Sequence, residues 1–293
     1  MKLTIAFITG RDQPHLDWML ESLAPQILAR DQIEILVIDA RGRSLVELDA
    51  ASADFHIRVS KPMPTIWQGE HRVTSCDWWA KSAASNTAFV LCETDYIAFC
   101  DDSCRLGSKW LETARRGERA RASVLAGSYD KRERGALTPD SRRDVAPAGK
   151  IDCGGGWLFG CTFALPLAWA LAVNGFETGC DGLGGEDYIF GLMLANSGRR
   201  IDFVPDMRVT QERCEVSSPT AARPGMRRTD KGISPNDKSH RALARFGLRK
   251  RTDFTPDLTA LRAHVRKGGP FPIPDPLFDH RDWYDGELIR DMV

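Results

Sequence analysis

Two pairs of acidic residues in this chain are placed so that their carboxylates could meet in one cleft. The first pair, Asp101-Asp102, follows an apolar run over residues 96–100 that predicts a buried strand. The second pair, Glu186-Asp187, follows a glycine-rich stretch and opens a helical pattern that ends near residue 197. Carboxylates at the carboxyl end of a central strand lie where open α/β sheets bind ligands. The two pairs therefore suggest a metal site and a base.

Strands and helices that could position these pairs alternate along the chain. Residues 3–10 predict a strand, residues 15–27 an amphipathic helix, and residues 33–39 a second strand that ends in Asp39. A late strand is predicted at residues 200–205. A polar stretch at residues 130–150 predicts an exposed loop beside the cleft. This order predicts an α/β fold with helices flanking a sheet.

The two acidic motifs, in this order, resemble those of the family-2 type glycosyltransferases of the GT-A fold. In that family an Asp-x-Asp-like motif contacts the sugar nucleotide and a metal, and a Gly-Gly-Glu-Asp-like motif lies beside the acceptor. The resemblance runs from about residue 3 to residue 210. It implies a Rossmann-like mixed sheet with flanking helices in a catalytic domain of residues 1–210. The sugar-nucleotide half would cover about 1–105 and the acceptor half about 106–210.

The same resemblance implies roles for individual residues. Asp187 is the candidate general base, and Glu186 would contact hydroxyls of the acceptor or the donor. Trp157, Gly184 and Gly185 would contact the acceptor. The donor-binding candidates come from several segments of the chain: Thr9, Arg11, Asp39, Asn86, Asp101, Asp102 and Lys231.

A divalent cation, Mn²⁺ or Mg²⁺, is also implied by the resemblance. Asp102 would be its main ligand, with Asp101 and His240 as further candidates. Many relatives have a third Asp where this chain has Ser103, and many have a metal-binding His near the position of Gln211. Because Ser is a poor ligand for these ions beside a carboxylate, the cation would depend mainly on Asp102, the nucleotide diphosphate and water.

The zero net charge of this 293-residue chain conceals an asymmetry. Residues 213–267 contain fourteen Lys or Arg and five acids, a net charge of +9, so the rest of the chain carries −9. Residues 211–293 are therefore predicted to form a basic, mostly helical C-terminal extension with a mobile loop and a helix at 237–249. This surplus of cations favours an anionic acceptor such as hydroxymethylated DNA. Alternatively, the charges only solvate a helical module.

Bulk properties predict a cytoplasmic protein. No apolar run approaches the roughly 18 residues of a membrane span, and the first hydrophobic stretch stops at Arg11 without a cleavage-like site. Eight cysteines lie mostly in apolar strands or beside glycines and show no paired CxxC spacing. Buried, reduced thiols are therefore expected rather than a disulfide framework or a structural zinc site.

The sequence thus predicts a hexosyltransferase-like glycosyltransferase. It would move a sugar, with inversion, from a nucleotide-sugar such as a UDP-sugar to a hydroxyl acceptor. The acceptor could be a small molecule, a glycan, a protein or hydroxymethylated DNA, because fold resemblance does not choose among these. A second alternative, favoured by Ser103 and Gln211, is an inactive transferase-like module that binds a glycan or nucleic acid. Turnover of a sugar nucleotide distinguishes the two.

Overall fold

A computed structural model gives the fold of most of the chain. It describes residues 1–11, 13–44, 55–65, 68–71, 79–178, 181, 185–213 and 256–274. The predictions made for Gly184, Lys231, His240 and the helix at 237–249 lie outside these residues.

The strands of the described residues form one mixed sheet. They are β1 (Lys2–Thr9), β2 (Gln32–Asp39), β3 (His56–Ser60), β4 (Tyr96–Asp101), β5 (Cys104–Leu106), β6 (Val124–Glu133), β7 (Ala136–Thr138), β8 (Thr162–Pro166) and β9 (Ile201–Arg213). Their order is β3-β2-β1-β4-β8-β6-β9-β5, with β7 paired to β6. The first four in this order are parallel, and β8 runs antiparallel between β4 and β6. The carboxyl ends of β1, β2 and β4 therefore meet at one edge of the sheet.

Helices cover both faces of this sheet. They are α1 (Leu16–Leu23), α2 (Lys81–Leu91), α3 (Trp110–Ala120), α4 (Arg142–Val145), α5 (Leu167–Ala172), α6 (Glu186–Asn196) and α7 (Leu258–Arg266). Side chains alternate along a strand, so β1 sends Ile5 and Phe7 to one core and Ala6 and Ile8 to the other. The first core is closed by α1 and α3, and the second by α2, α5, α6 and α7. The central strands are thus buried on both faces.

The α/β fold class predicted from the sequence is confirmed. The strands expected at 3–10, 33–39 and 96–100 and the helix after Gly185 all form. The first helix is shorter than expected, because its α-helical part ends at Leu23 and a 3-10 turn containing Pro25 follows. The cysteines of the described residues are free, and all but the half-buried Cys153 are buried, as expected.

The stretch at 130–150 is mostly exposed, as predicted, but much of it is regular secondary structure rather than loop. Strand β6 continues to Glu133, turns into β7, and is followed by α4. Asp130, Asp140 and Arg142 in this stretch are buried. The reason is mutual compensation, because Arg142 forms a 2.6 Å ion pair with Asp140 whose partners are both shielded from water. A largely exposed polar sequence therefore also contains buried charges here.

Helix α7 is the described part of the basic extension, and it packs against α2. Leu258 and Leu261 belong to the same core as α2. The Arg262 guanidinium donates to the carbonyl oxygens of Phe89 (3.0 Å) and Val90 (2.7 Å), which lie in the last turn of α2. The domain boundary at residue 210 stays a prediction. Strand β9 runs past this position to Arg213. Among the described helices, none has the length and apolar character that crossing a membrane requires.

Candidate active site

Lys81, the first residue of α2, lies between the two acidic motifs. Its Nζ atom is 3.5 Å from Oδ1 of Asp101 and 3.7 Å from Oε1 of Glu186. Asp101 ends β4 and Glu186 begins α6, so Lys81 marks the place where both motifs meet. The sequence analysis missed Lys81. Its position at the start of the helix that carries Asn86 was the available signal.

Lys81 is surrounded by negative charge. Burial alone lowers the pKa of Lys81, but the carboxylates of Asp101, Glu186 and Asp187 outweigh this effect and raise the pKa above its usual range. The ammonium group is therefore positively charged at neutral pH. Its side chain keeps 24% of its surface exposed, so the charge can reach a ligand in the cleft.

Asp187, the candidate base, is held by backbone amides. Its Oδ2 atom accepts from the Gly160 N–H at 2.8 Å, and Oδ1 accepts from the Tyr188 N–H at 2.8 Å. A Cβ added at Gly160 would lie 3.2 Å from Lys81 Nζ and 3.3 Å from Asp187 Cβ, so a side chain at this position would crowd both residues. An ionised carboxylate has about four acceptor positions, which leaves room for a hydroxyl donor.

Asp102 directly follows β4, and both of its carboxylate oxygens accept hydrogen bonds. Oδ2 accepts from the Thr9 hydroxyl at 2.8 Å, and Oδ1 accepts from Nε of Arg11 at 2.6 Å. Burial raises the pKa of Asp102 above its usual range, and Asp101 adds to this rise, while Arg11 and Thr9 oppose it. The structure thus joins Thr9, Arg11 and Asp102 in one cluster at the ends of β1 and β4.

Asp39 extends this cluster to the end of β2. Its carboxylate is buried and accepts from Nε of Arg43 at 3.0 Å and from Nη2 of Arg43 at 2.9 Å. The same Nη2 donates to the backbone oxygen of Arg11 at 2.7 Å. Arg43 therefore ties the ends of β1 and β2 together, and it is a second cleft residue that sequence analysis missed.

Asn86 lies away from the cleft. Its side chain is fully buried and forms two hydrogen bonds with the backbone of Phe176. Nδ2 of Asn86 donates to the Phe176 carbonyl oxygen at 2.8 Å, and Oδ1 accepts from the Phe176 N–H at 2.7 Å. Asn86 thus joins α2 to the loop after α5. Among the seven donor candidates, Lys231 lies outside the described residues and the other five lie at the strand ends.

Trp157, a candidate for acceptor binding, is half-buried. Its ring packs edge-on against Phe203 with centroids 5.4 Å apart, and Nζ of Lys150 lies 4.9 Å from the ring centroid. Gly155, two residues before it, serves packing, because a Cβ at this position would lie 2.3 Å from a backbone atom of Gly191 in α6. Gly185 has φ +82° at the position before α6, a conformation that favours glycine.

The buried ion pair between Arg142 and Asp140 supports the segment that carries Trp157 and Gly160. The Arg142 guanidinium bonds the Trp157 carbonyl, the Gly127 carbonyl at 2.7 Å and the Asp140 carboxylate. It also stacks 3.9 Å from the centroid of the Phe159 ring. These contacts fix the backbone that leads to Gly160, and Gly160 in turn holds Asp187.

The charges and ligand types of the cleft suit a divalent cation. Among the described residues, three cations face five carboxylates there: Arg11, Arg43 and Lys81 against Asp39, Asp101, Asp102, Glu186 and Asp187. Carboxylate oxygens are the ligands that Mg²⁺ and Mn²⁺ prefer. Within the described ranges no three His, Cys, Asp or Glu side chains converge into a ready-made cage. Asp101 is better placed than Asp102 to bind a cation. One Asp101 oxygen has no hydrogen-bond or ion-pair partner among the described residues, whereas both Asp102 oxygens accept hydrogen bonds.

Comparison with known proteins shows a likeness of structure. No family model matches this chain, and no curated protein sequence matches it. The solved structure of S. aureus TarS 1-349 in complex with UDP superposes with a TM-score of 0.58 at 14% identity, over 99% of this chain and 77% of that one. GalNAc-T7 with UDP, GalNAc and Mn²⁺ superposes with a TM-score of 0.57 at 12% identity, over 96% of this chain and 54% of that one.

These likenesses support a GT-A glycosyltransferase fold for this chain. Another TarS 1-349 structure, in complex with UDP-GlcNAc, superposes with a TM-score of 0.56 at 17% identity. The chain spans 60% of a third TarS 1-349 structure and 37% of a longer TarS structure. At such identities the superpositions establish the fold, and the chemistry depends on the cleft residues of this chain.

Proposed function

We propose that this chain is a glycosyltransferase that moves a sugar from a nucleotide-sugar, most readily a UDP-sugar, to a hydroxyl group of an acceptor. The observation that carries this proposal is the ammonium of Lys81 between Asp101 of β4 and Glu186 of α6. This ammonium lies at the carboxyl ends of the parallel strands, where α/β sheets bind nucleotides. The structural likeness to TarS with UDP-GlcNAc and to GalNAc-T7 with UDP supports the choice of donor.

The donor would lie along the ends of β1, β2 and β4. Asp39 would contact the base and Asp101 the ribose, as the family resemblance implies. Lys81 and the terminal guanidinium nitrogens of Arg11 would contact the diphosphate, because Arg11 uses only its Nε atom on Asp102. Cations held beside the departing phosphate stabilise the charge that develops as the glycosidic bond breaks.

The acceptor would enter from the side of α6 and Trp157. Asp187 would take the proton of the acceptor hydroxyl while that oxygen bonds to the anomeric carbon, and the bond to the diphosphate breaks with its electron pair. Attack from the face opposite the leaving group inverts the anomeric configuration. Glu186, held near Lys81, would orient donor or acceptor hydroxyls.

A divalent cation, Mn²⁺ or Mg²⁺, would be held by Asp101 and Asp102 together with the diphosphate, with His240 as a further ligand candidate. When bound, it supplies charge neutralisation for the leaving group. The excess of carboxylates over cations in the cleft supports this requirement.

Hydroxymethylated DNA is the second candidate acceptor. The net charge of +9 over residues 213–267 exceeds what one nucleotide diphosphate requires. Within α7, however, Arg262 is used on the carbonyl groups of α2, so part of this charge is structural. DNA binding that weakens steeply with salt, and sugar transfer to hydroxymethylated but not to unmodified DNA, would favour this acceptor over a glycan.

The direct test is a screen of nucleotide-sugars for hydrolysis or transfer, with and without Mn²⁺, followed by determination of the product anomer. Release of UDP from a UDP-sugar is the expected result. An inactive binding module would bind but release no nucleotide. A product with retained configuration would remove Asp187 from the role of a simple base.

A further inference from the structure

The start of α2 carries Lys81 but lacks a capping side chain of its own. The N-cap position is Ala80, whose methyl group offers no acceptor for the first amides of the helix. Exposed helix starts find such acceptors in Ser, Thr, Asp or Asn at this position, or in water. Here the start of the helix is buried, with Ala80 and Ser82 almost wholly shielded from water. The acceptor must therefore come from elsewhere in the chain.

Asp181 provides it from a distance of almost one hundred residues. Its Oδ1 atom accepts from the Ser82 N–H at 2.6 Å, and Oδ2 accepts from the Ala83 N–H at 3.2 Å. The side chain is buried, with 1% of the residue exposed. A carboxylate at this place also interacts favourably with the positive end of the helix dipole. Asp181 is thus a remote N-cap of α2.

The position of Asp181 in the chain gives this cap a second consequence. Asp181 stands five residues before Glu186, in the segment that leads into α6, and its own N–H donates to the Thr178 carbonyl at 3.0 Å. The Asp181 cap, here called the tether, thus lies next to Lys81 in space and five residues before Glu186 in the chain.

We propose that Asp181 is a positioning residue that fixes the position of Lys81 of α2 relative to the Glu186-Asp187 pair of α6. Its catalytic consequence rests on the proposed glycosyltransferase function, whereas the tether itself does not. The distances of 3.5 Å and 3.7 Å from Lys81 Nζ to Asp101 and Glu186 depend on where α2 begins. A displacement of about 1 Å at such a site can cost on the order of 10²-fold in rate.

Hydrogen exchange tests the tether without any assumption about activity. In Asp181→Ala the amides of residues 82 and 83 and those of residues 186–190 should both exchange at least about tenfold faster, because the link opens at both ends. The matched control is Asp257→Ala, which removes the same kind of cap from α7, where Asp257 accepts from Thr259 N at 2.9 Å and Ala260 N at 3.0 Å. It should change exchange at the start of α7 only. Faster exchange in α2 alone would make Asp181 a plain helix cap and overturn the proposal.

Kinetics then test the consequence for the site. At a temperature well below unfolding, Asp181→Ala should lower kcat for nucleotide-sugar hydrolysis at least about tenfold and also weaken UDP binding, since both sides of the cleft move. Asp181→Asn keeps one acceptor oxygen and should lose less; it replaces the alanine variant if that chain does not fold. Asp257→Ala should keep wild-type kcat.

The possible failures are distinguishable. Wild-type kcat and UDP affinity in a folded Asp181→Ala variant would overturn the positioning role. If the wild-type chain neither binds UDP nor hydrolyses any nucleotide-sugar, the proposed function fails. In that case the exchange experiment still decides whether Asp181 ties α2 to α6.

Discussion

The two sides of the cleft, which we propose to bind the donor and the acceptor, hold Asp101, Asp102 and Asp187 in different ways. On the proposed donor side Asp101 and Asp102 face the side-chain cations Lys81 and Arg11. On the acceptor side Asp187 is held by the backbone N–H groups of Gly160 and Tyr188.

This difference fits the tasks that we propose for the two sides. A side-chain cation can turn from a carboxylate to an incoming phosphate, so the donor side can rearrange when an anion binds. Backbone amides cannot turn in this way, so Asp187 keeps its direction. A base needs a fixed direction relative to the hydroxyl that it deprotonates.

The largest expected effect is on the fixed side. Asp187→Asn is nearly isosteric and should lower kcat by roughly 10² or more, the usual loss for a general base, while UDP affinity stays within about twofold. Asp206→Asn, at an exposed carboxylate that pairs with Lys109, is the matched control. Equal losses of donor affinity and rate would make Asp187 a structural carboxylate and remove the contrast between the two sides.

The next effect concerns Lys81, which faces both sides. Lys81→Met keeps most of the side-chain volume and removes the charge, and it should weaken UDP binding by about 10- to 100-fold, the worth of one charged hydrogen bond. Lys109→Met removes a charge from a 62% exposed side chain and is the control. Calorimetric titration with UDP makes the comparison. Unchanged affinity would place the diphosphate away from Lys81.

A smaller effect is expected from releasing Arg11. Asp102→Asn removes the carboxylate charge that holds the Arg11 Nε atom, while the amide can still accept from Thr9. Because the guanidinium then loses its fixed direction, turnover of a nucleotide-sugar should fall by at least about tenfold with the fold intact. Circular dichroism checks the fold. Native turnover would mean that the donor side does not use this cluster.

The smallest effect is on the free energy of unfolding at acid pH, and it concerns the ion pair between Arg142 and Asp140. Burial raises the pKa of Asp140, but hydrogen bonds from Arg142 and from backbone amides outweigh it and lower the pKa below its usual range. Its contribution to stability is therefore present above about pH 4 and is lost as the pH falls further. Urea unfolding between about pH 5 and pH 2 should show a shallower pH dependence in Asp140→Asn than in the wild type. An identical slope would exclude this ion pair as the acid-sensitive contact.

The sequence predicted the parts of this site that depend on local pattern. Asp101 follows an apolar strand and Glu186 follows a left-handed glycine, and both signals are contained in a few residues. Lys81, Arg43 and Asp181 were missed because their roles arise from contacts between distant segments, which no window of the sequence contains.

Two further interactions inside the protein were not predicted from the sequence, for the same physical reason. Asn86 is polar and lies in the right helix, but its amide is used on the Phe176 backbone. The stretch at 130–150 is highly charged, but Asp140 and Arg142 compensate each other in the interior. In both cases a polar side chain finds its partner inside the protein, and only the tertiary structure reveals that partner.

The most direct test of the central claim is a crystal structure of this chain with UDP bound. We expect a phosphate oxygen within about 3.2 Å of Lys81 Nζ, a normal hydrogen-bonding distance, and the uracil at the end of β2 near Asp39. A cavity of about 580 Å³ lies between α3 and β9, bordered by Arg116, Arg200 and Phe203. UDP bound in that cavity, and not beside Lys81, would contradict the proposed donor site.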